Sequence, residues 1–272
     1  MPYIIAIAGK GGVGKTTVAA LLAQSLLKVD KPVLAVDADP NSNLNLLLGL
    51  DYSETVSDIR EEARNLSSVS ISKSDFFNMR LEEIIAEGNR IDLLVMGRPE
   101  GTGCYCAVNN ILREYLSKLS RNYKFVVIDN EAGMEHLSRR TANHVDTLLL
   151  VSDSTTVGVQ AAVNAFNTAK KAGLKVKDFR LVINKSRTEL REDKVKLLEK
   201  AGLTVAGYVP YDEAIEKNSE QGKELGKRLT DIFNLDCIGL LNAIKERGLG
   251  EDFPQAFGVT GSEATVIGAE PL

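Results

Sequence analysis

Seven short apolar runs alternate along the chain with segments of helical spacing. The runs are rich in Val, Ile and Leu and mostly lack polar residues at alternate positions, which is typical of strands buried on both faces of a sheet. They cover residues 3–8, 32–36, 91–96, 125–128, 147–151, 179–183 and 204–209. This alternation of strands and helices predicts an α/β fold, with a single, mainly parallel β-sheet flanked by helices on both faces.

Apolar residues recur at helical spacing between several of these runs. Residues 111–119 and 195–201 carry such stripes, residues 51–90 predict one or two helices, and residues 229–247 predict a final helix. The tail after Gly248 is rich in glycine and small residues and has no strong period. We therefore expect one domain over residues 1–250 and an irregular or mobile C-terminal extension over residues 251–272.

The composition is that of a globular chain, since 44% of its 272 residues are hydrophobic and 26% are charged. The formal net charge of -4 argues against binding through a broad basic surface, so neither nucleic acid nor membrane is expected as a partner. No segment approaches the roughly 20 apolar residues that cross a bilayer.

The amino-terminal run leads directly into a glycine-rich motif that a cleavable signal would remove or crowd, so we expect a cytoplasmic protein. In that compartment the three cysteines favour reduced thiols or metal ligands over disulfides.

The glycine-rich motif reads Gly-Lys-Gly-Gly-Val-Gly-Lys-Thr-Thr over residues 9–17, between the first strand and a helix expected over residues 17–29. Its glycines let the backbone wrap around phosphate oxygens. Lys15 would contact the β- and γ-phosphates, and Thr16 would bind Mg²⁺. A chance glycine-rich turn is the alternative, but the order of strand, loop, Gly-Lys-Thr and helix favours a P-loop. The predicted nucleotide-binding residues here are Gly11, Gly12, Val13, Gly14, Lys15, Thr16 and Thr17.

Lys10 gives this P-loop a second lysine. With it, the motif resembles the deviant Walker A family of ATPases, which includes MinD, ParA and the nitrogenase iron protein. The resemblance implies a P-loop NTPase domain that hydrolyses ATP to ADP and phosphate as a homodimer, with Lys10 reaching the partner's nucleotide. Without the resemblance, a solvated loop lysine would be the simpler interpretation of Lys10.

Two carboxylate-bearing segments follow the family pattern. Asp37-Ala38-Asp39-Pro40 ends the second run, and the resemblance implies that Asp39 orients the attacking water, while Asp37 is structural or linked to Mg²⁺. Residues 125–129 are four apolar residues closed by an aspartate, the Walker B arrangement. Asp129 should therefore hold Mg²⁺ through water, and Gly133 should sense the γ-phosphate. Residues 130–133 read Asn-Glu-Ala-Gly where the family usually has a proline.

Three residues late in the chain match the positions where this family grips adenine. Asn184 closes the run over residues 179–183, and Pro210 and Asp212 lie in the turn after residue 209. A helix cap or a simple turn would explain the same residues. The resemblance favours the adenine role, and with it ATP over GTP.

The segment Gly103-Cys104-Tyr105-Cys106 precedes a helical stripe. In an extended conformation two thiols one residue apart face the same way, and a nearby helix N-terminus favours the thiolates that bind soft metals. Buried, unreactive cysteines are the alternative. We expect the strand over residues 91–96, which leads into this segment, to neighbour the strand that carries Asp129.

Together with the P-loop, the cysteine segment resembles the CooC-type ATPases that insert nickel into carbon monoxide dehydrogenase. The resemblance implies that Cys104 and Cys106 bind Ni²⁺, or Zn²⁺, together with the same pair of a second subunit. It also implies delivery to apo carbon monoxide dehydrogenase or acetyl-CoA synthase. Cys237, His136 and His144 have weaker support as ligands and are left out of the predicted site.

Two other functions are compatible with the same motifs. An iron–sulfur carrier or scaffold resembling the nitrogenase iron protein ranks second, because a cluster could also sit on four cysteines. A MinD- or ParA-type positioning ATPase ranks third, because it would leave the cysteine pair unexplained.

Overall fold

The computed structural model describes residues 2–27, 32–65, 73–98, 122–131, 145–221 and 223. Seven strands in these ranges form one parallel sheet in the order β3-β2-β4-β1-β5-β6-β7. Their bounds are β1 (Tyr3–Gly9), β2 (Val33–Ala38), β3 (Ile91–Val95), β4 (Phe125–Asn130), β5 (Val145–Ser152), β6 (Val176–Ser186) and β7 (Thr204–Pro210).

Every predicted apolar run is a strand, and the differences lie at the ends. β4 continues two residues beyond the apolar run because Asp129 and Asn130 still pair with β2 or β1. β6 is longer than its apolar centre because its flanking polar residues pair with β5 and β7. Hydrophobicity marks the buried centre of a strand but not polar residues that remain in the ladder.

Seven helices connect these strands within the described ranges. Their bounds are α1 (Lys15–Leu26), α2 (Leu44–Leu48), α3 (Val56–Asn65), α4 (Lys73–Glu83), α5 (Thr156–Lys171), α6 (Glu192–Ala201) and α7 (Glu213–Glu220). α1 begins two residues before the predicted start, and α3 and α4 confirm the helices expected within residues 51–90. The helices predicted over residues 111–119 and 229–247, and the predicted extension over residues 251–272, lie outside the described residues.

The sheet is packed on both faces, as the apolar runs predicted. Alternate residues of β1 point to opposite sides: Ile5 and Ile7 join the cluster that contains α1, whereas Ala6 and Ala8 join the cluster that contains α5. α3 and α4 cover β2, β3 and β4 on the same side as α5. All eight residues of β5 are buried, so no strand alternation was visible in the sequence.

The expectation that β3 lies next to β4 was wrong. β2 separates them, since it pairs with β3 on one side and with β4 on the other. After β3 the chain returns to the centre of the sheet, where β4 pairs with both β2 and β1. Sequence order therefore does not give spatial order here, and any route from the cysteine segment to Asp129 passes through β2.

Within the described ranges, no helix combines the length and the apolar character needed to cross a bilayer.

Candidate nucleotide-binding site

The P-loop joins the end of β1 to the start of α1 at the carboxyl edge of the sheet. Gly14, immediately before α1, has a φ of 85°, a left-handed conformation that favours glycine. A Cβ at Gly14 would also lie 2.3 Å from Asn184 Nδ2, so a side chain is excluded twice. A helix leaves its first N–H groups without intrahelical acceptors, and at α1 these groups face the loop end, where a phosphate binds readily.

The two lysines of the loop have different environments. Lys15 is only 8% exposed, and its Nζ donates to the carbonyl oxygen of Lys10 over 3.5 Å. The Lys10 side chain is exposed. One cation is thus held inside the loop, and the other is accessible to a second molecule.

Two buried carboxylates lie side by side at the same edge. Asp37 of β2 and Asp129 of β4 are register partners, and both are at most 1% exposed. Asp37 accepts hydrogen bonds from the backbone N–H of Leu44 at 2.9 Å and of Asp39 at 3.1 Å, so it organises the turn after β2. This geometry favours the structural role among the two considered for Asp37.

Asp129 differs from Asp37 in having spare acceptor capacity. Neither of its carboxylate oxygens accepts a hydrogen bond of ordinary geometry from the described residues. The Thr16 hydroxyl and the Lys15 ammonium are close enough to lower its pKa. A buried carboxylate beside a P-loop threonine fits Mg²⁺, which keeps several of its waters and uses few protein ligands.

Burial dominates the protonation of this pair. It raises the pKa of Asp37 to about 6. Burial, and next the charge of Asp37, raise the pKa of Asp129 to about 7, although Thr16 and Lys15 lower it. Without a cation the folded protein therefore holds protons here that the unfolded chain releases near pH 4.

This predicts a pH-dependent stability for the metal-free and nucleotide-free protein. Because the folded-state pKa is raised, the stabilising contribution is present below about pH 4 and is lost as the pH rises through about 6 to 7. Asp129→Asn removes the ionisation and should raise the melting temperature at pH 8 by about 3 °C or more, with a gain that shrinks toward pH 4. Thermal melts in EDTA measure this, with Asp51→Asn on the surface as the control. A less stable Asp129→Asn protein at pH 8 would contradict it.

Asp39 lies just beyond β2 and is partly exposed. Its Oδ1 accepts hydrogen bonds from the backbone N–H and from the side-chain Nδ2 of Asn41, both at 2.9 Å. Asn41 was missed in the sequence, where only the Asp-x-Asn spacing of a side-chain turn could have indicated it. The contact fixes the carboxylate in the ligand-free turn.

Asn130 was also missed, because the family comparison only marked it as a departure from proline. It is 2% exposed, and its Nδ2 donates to the carbonyl oxygen of Ile7 at 2.9 Å. This amide fastens the end of β4 to β1, the strand that leads into the P-loop. A proline has no such donor, so the departure replaces a rigid residue with a side-chain tie.

A cavity of about 280 Å³ opens beside the P-loop. The predicted adenine-binding residues Asn184, Pro210 and Asp212 come together in its wall, next to Gly14 and Thr17 of the P-loop motif. Asn184 is 3% exposed and donates from Nδ2 to the carbonyl oxygen of Val13 at 2.8 Å. This hydrogen bond leaves its Oδ1 as a buried acceptor. The remaining lining residues are Lys185, Tyr211, Ile215, Glu216 and Glu220.

Several predicted residues fall outside the described residues. They are Gly133 and the metal-binding pair Cys104 and Cys106, together with the three residues that were left out of the metal site, His136, His144 and Cys237.

The comparison with known families decides the broader assignment. The profile of the CbiA family, described as the CobQ/CobB/MinD/ParA nucleotide binding domain, matches residues 4–225. The chain belongs to this family. It is a P-loop ATPase, as the glycine-rich motif and its two lysines predicted.

Individual relatives agree with this assignment. An uncharacterized ATP-binding protein of Methanocaldococcus jannaschii is 43% identical over 224 residues, covering 80% of this chain and 88% of the relative. The carbon monoxide dehydrogenase accessory protein CooC of Rhodospirillum rubrum is 31% identical over 233 residues, covering 80% of this chain and 87% of CooC. The crystal structure of the cell division ATPase MinD of Pyrococcus furiosus superposes with a TM-score of 0.63 over 91% of this chain and 100% of MinD. At 23% identity that last similarity shows the fold alone.

Proposed function

We propose that this ATPase is a homodimeric metallochaperone that delivers nickel for the maturation of carbon monoxide dehydrogenase or acetyl-CoA synthase. The observation that carries the proposal is the cysteine pair at positions 104 and 106, in a chain 31% identical to a carbon monoxide dehydrogenase accessory protein. Cys104 and Cys106 of two subunits would together supply four thiolates, enough for a closed metal site. In this proposal nickel is the cargo and ATP is the fuel.

The P-loop side of the proposal assigns a task to each residue. Lys15 neutralises the β- and γ-phosphates, while Thr16 and Asp129 hold Mg²⁺, which would stabilise charge on the phosphate oxygens. Asp39 orients the attacking water. The exposed Lys10 reaches the nucleotide of the partner subunit and so ties turnover to the dimer.

Asn184 contributes the base contact in this proposal. Its Nδ2 already donates to the carbonyl oxygen of Val13, which leaves Oδ1 to accept from the amino group of adenine. Pro210 and Asp212 shape the opposite wall, and Gly133 would sense the γ-phosphate.

A continuous set of contacts connects the site to the strand that leads toward the cysteines. The N–H of Met96, just after β3, donates to the carbonyl oxygen of Asp37 at 2.9 Å. The Ser57 hydroxyl donates to the carbonyl oxygen of Met96 at 2.8 Å. A Cβ on the next residue, Gly97, would lie 2.3 Å from Thr55 Oγ1. The start of the cysteine segment is thus fastened to the turn that Asp37 organises, so a movement of that turn would reach the metal pair.

The proposal predicts that hydrolysis drives metal transfer. Protein loaded with ⁶³Ni should pass nickel to apo carbon monoxide dehydrogenase at least about tenfold faster with ATP than with a non-hydrolysable analogue, because one turnover reopens the dimer. Activation of the recipient enzyme and counting of the transferred nickel measure this, with ADP as the matched nucleotide control. Equal transfer rates with all three nucleotides would contradict the coupling. A visible absorption band in the anaerobically purified protein would instead favour an iron–sulfur cargo.

A further inference from the structure

The cavity beside the P-loop is lined by three carboxylates, those of Asp212, Glu216 and Glu220. An ionised carboxylate only accepts hydrogen bonds, so in a base-binding pocket it selects for bases that donate. Which of these groups is available to a base therefore bears directly on nucleotide specificity.

Asp212 is occupied by its own helix. Its Oδ1 accepts the backbone N–H groups of Ala214 at 2.7 Å and Ile215 at 3.1 Å, so that it caps the start of α7. Glu220 lies at the other end of α7 and is exposed, so water competes for it. Glu216 is left as the carboxylate on the pocket wall whose state depends on its neighbours.

Glu216 is also occupied, by side chains from two loops. The Tyr211 phenol donates to its Oε2 at 2.6 Å, and Lys185 Nζ lies 3.8 Å from its Oε1. The lysine is half exposed, so its ion pair is weak, and the phenol is the principal partner. This hydrogen bond raises the pKa of Tyr211, so the phenol stays protonated and remains a donor at neutral pH.

The position of Tyr211 is itself fixed by the neighbouring loop. Its backbone N–H donates to the carbonyl oxygen of Ser186 at 2.8 Å, and the Arg187 guanidinium stands 4.2 Å from the centre of its ring. Both contacts come from the end of β6, which also carries Asn184. The phenol is therefore held over Glu216 by the same segment that forms the base pocket.

The chemistry of the two purines gives this arrangement a consequence. On the Watson–Crick edge, guanine presents an N–H and an amino group side by side, both donors, whereas adenine presents one amino donor beside a ring nitrogen that accepts. A free carboxylate at the base edge thus attracts guanine and faces an acceptor on adenine.

We propose that Tyr211 is a specificity-determining residue that keeps Glu216 engaged and thereby denies guanine nucleotides a free carboxylate in the base pocket. The inference rests on the proposed placement of the base in this cavity. Tyr211 acts through Glu216, and is a positioning residue rather than a catalytic one.

The test compares the dissociation constants of ATP and GTP, measured by calorimetry with Mg²⁺, across a short series of variants. Tyr211→Phe keeps the ring under Arg187 and removes only the donor. It should tighten GTP relative to ATP by about tenfold, the effect of one hydrogen bond to a charged group. Adding Glu216→Ala to Tyr211→Phe should restore the original ratio, because the freed acceptor is gone.

Asn184→Ala separates the two levels of the argument. If it weakens nucleotide binding while Tyr211→Phe leaves the GTP-to-ATP ratio unchanged, the pocket assignment stands and the role of Tyr211 is overturned. The role is equally overturned if the double variant keeps the GTP gain. If Asn184→Ala has no effect on either nucleotide, the base lies elsewhere, and the proposal falls with the pocket.

Discussion

Replacing Asp39 by alanine should slow ATP hydrolysis by about a hundredfold or more and leave ATP binding largely intact. The reason is that the carboxylate is assigned to the attacking water and not to the ground-state phosphates. ATP-bound dimers should therefore accumulate. Phosphate release and analytical ultracentrifugation in ATP measure the two effects. Asp39→Ala also removes the acceptor for Asn41, so Asn41→Ala serves to separate loss of the turn from loss of the carboxylate.

Lys15→Ala should give the opposite division, since its ammonium lies inside the loop that cradles the phosphates. We expect nucleotide affinity itself to fall, because Lys15 neutralises charge in the ground state. Asp51→Ala, an exposed aspartate outside the site, is the matched control for both variants. Normal turnover in Asp39→Ala would show that another group orients the water.

Cys104→Ser and Cys106→Ser should each abolish tight metal binding while changing the affinity of the monomer for ATP by less than about twofold. A closed thiolate site cannot be completed by a hydroxyl, and removing one residue from each subunit takes two of the four ligands away. Metal analysis after gel filtration measures the loss. Cys237→Ser is the matched control, because it removes the remaining cysteine and should keep the metal.

The fold was largely predictable because its strands are buried on both faces. Uniform apolar runs separated by helical stripes indicated the parallel sheet, and the polar residues at the strand ends were then expected at one edge. Asp37 and Asp129 do lie there as register partners. What the sequence did not contain was the spatial order of β2, β3 and β4. Pairing between strands far apart in the chain depends on how crossovers pack, and no local pattern records it.

The site was predictable where a residue type has few alternative uses, and less so where a side chain binds its own backbone. The P-loop lysines and the residues that line the base cavity were found from motif spacing. Asn41, Asn130 and Tyr211 were not, because their roles arise from contacts with turns and strands that are distant in sequence or locally irregular. Asparagine and tyrosine are common in loops, so composition alone gives them no signal.

The measurement that tests the account most directly is the metal stoichiometry of the wild-type protein as a function of protein concentration, with Mg²⁺ and ATP present. Equilibrium dialysis against Ni²⁺, combined with sedimentation at each concentration, gives the metal content and the dimer fraction together. The account predicts one nickel per two chains, held in proportion to the dimer and lost on dilution. One tightly held nickel per chain that survives dilution to the monomer would contradict it.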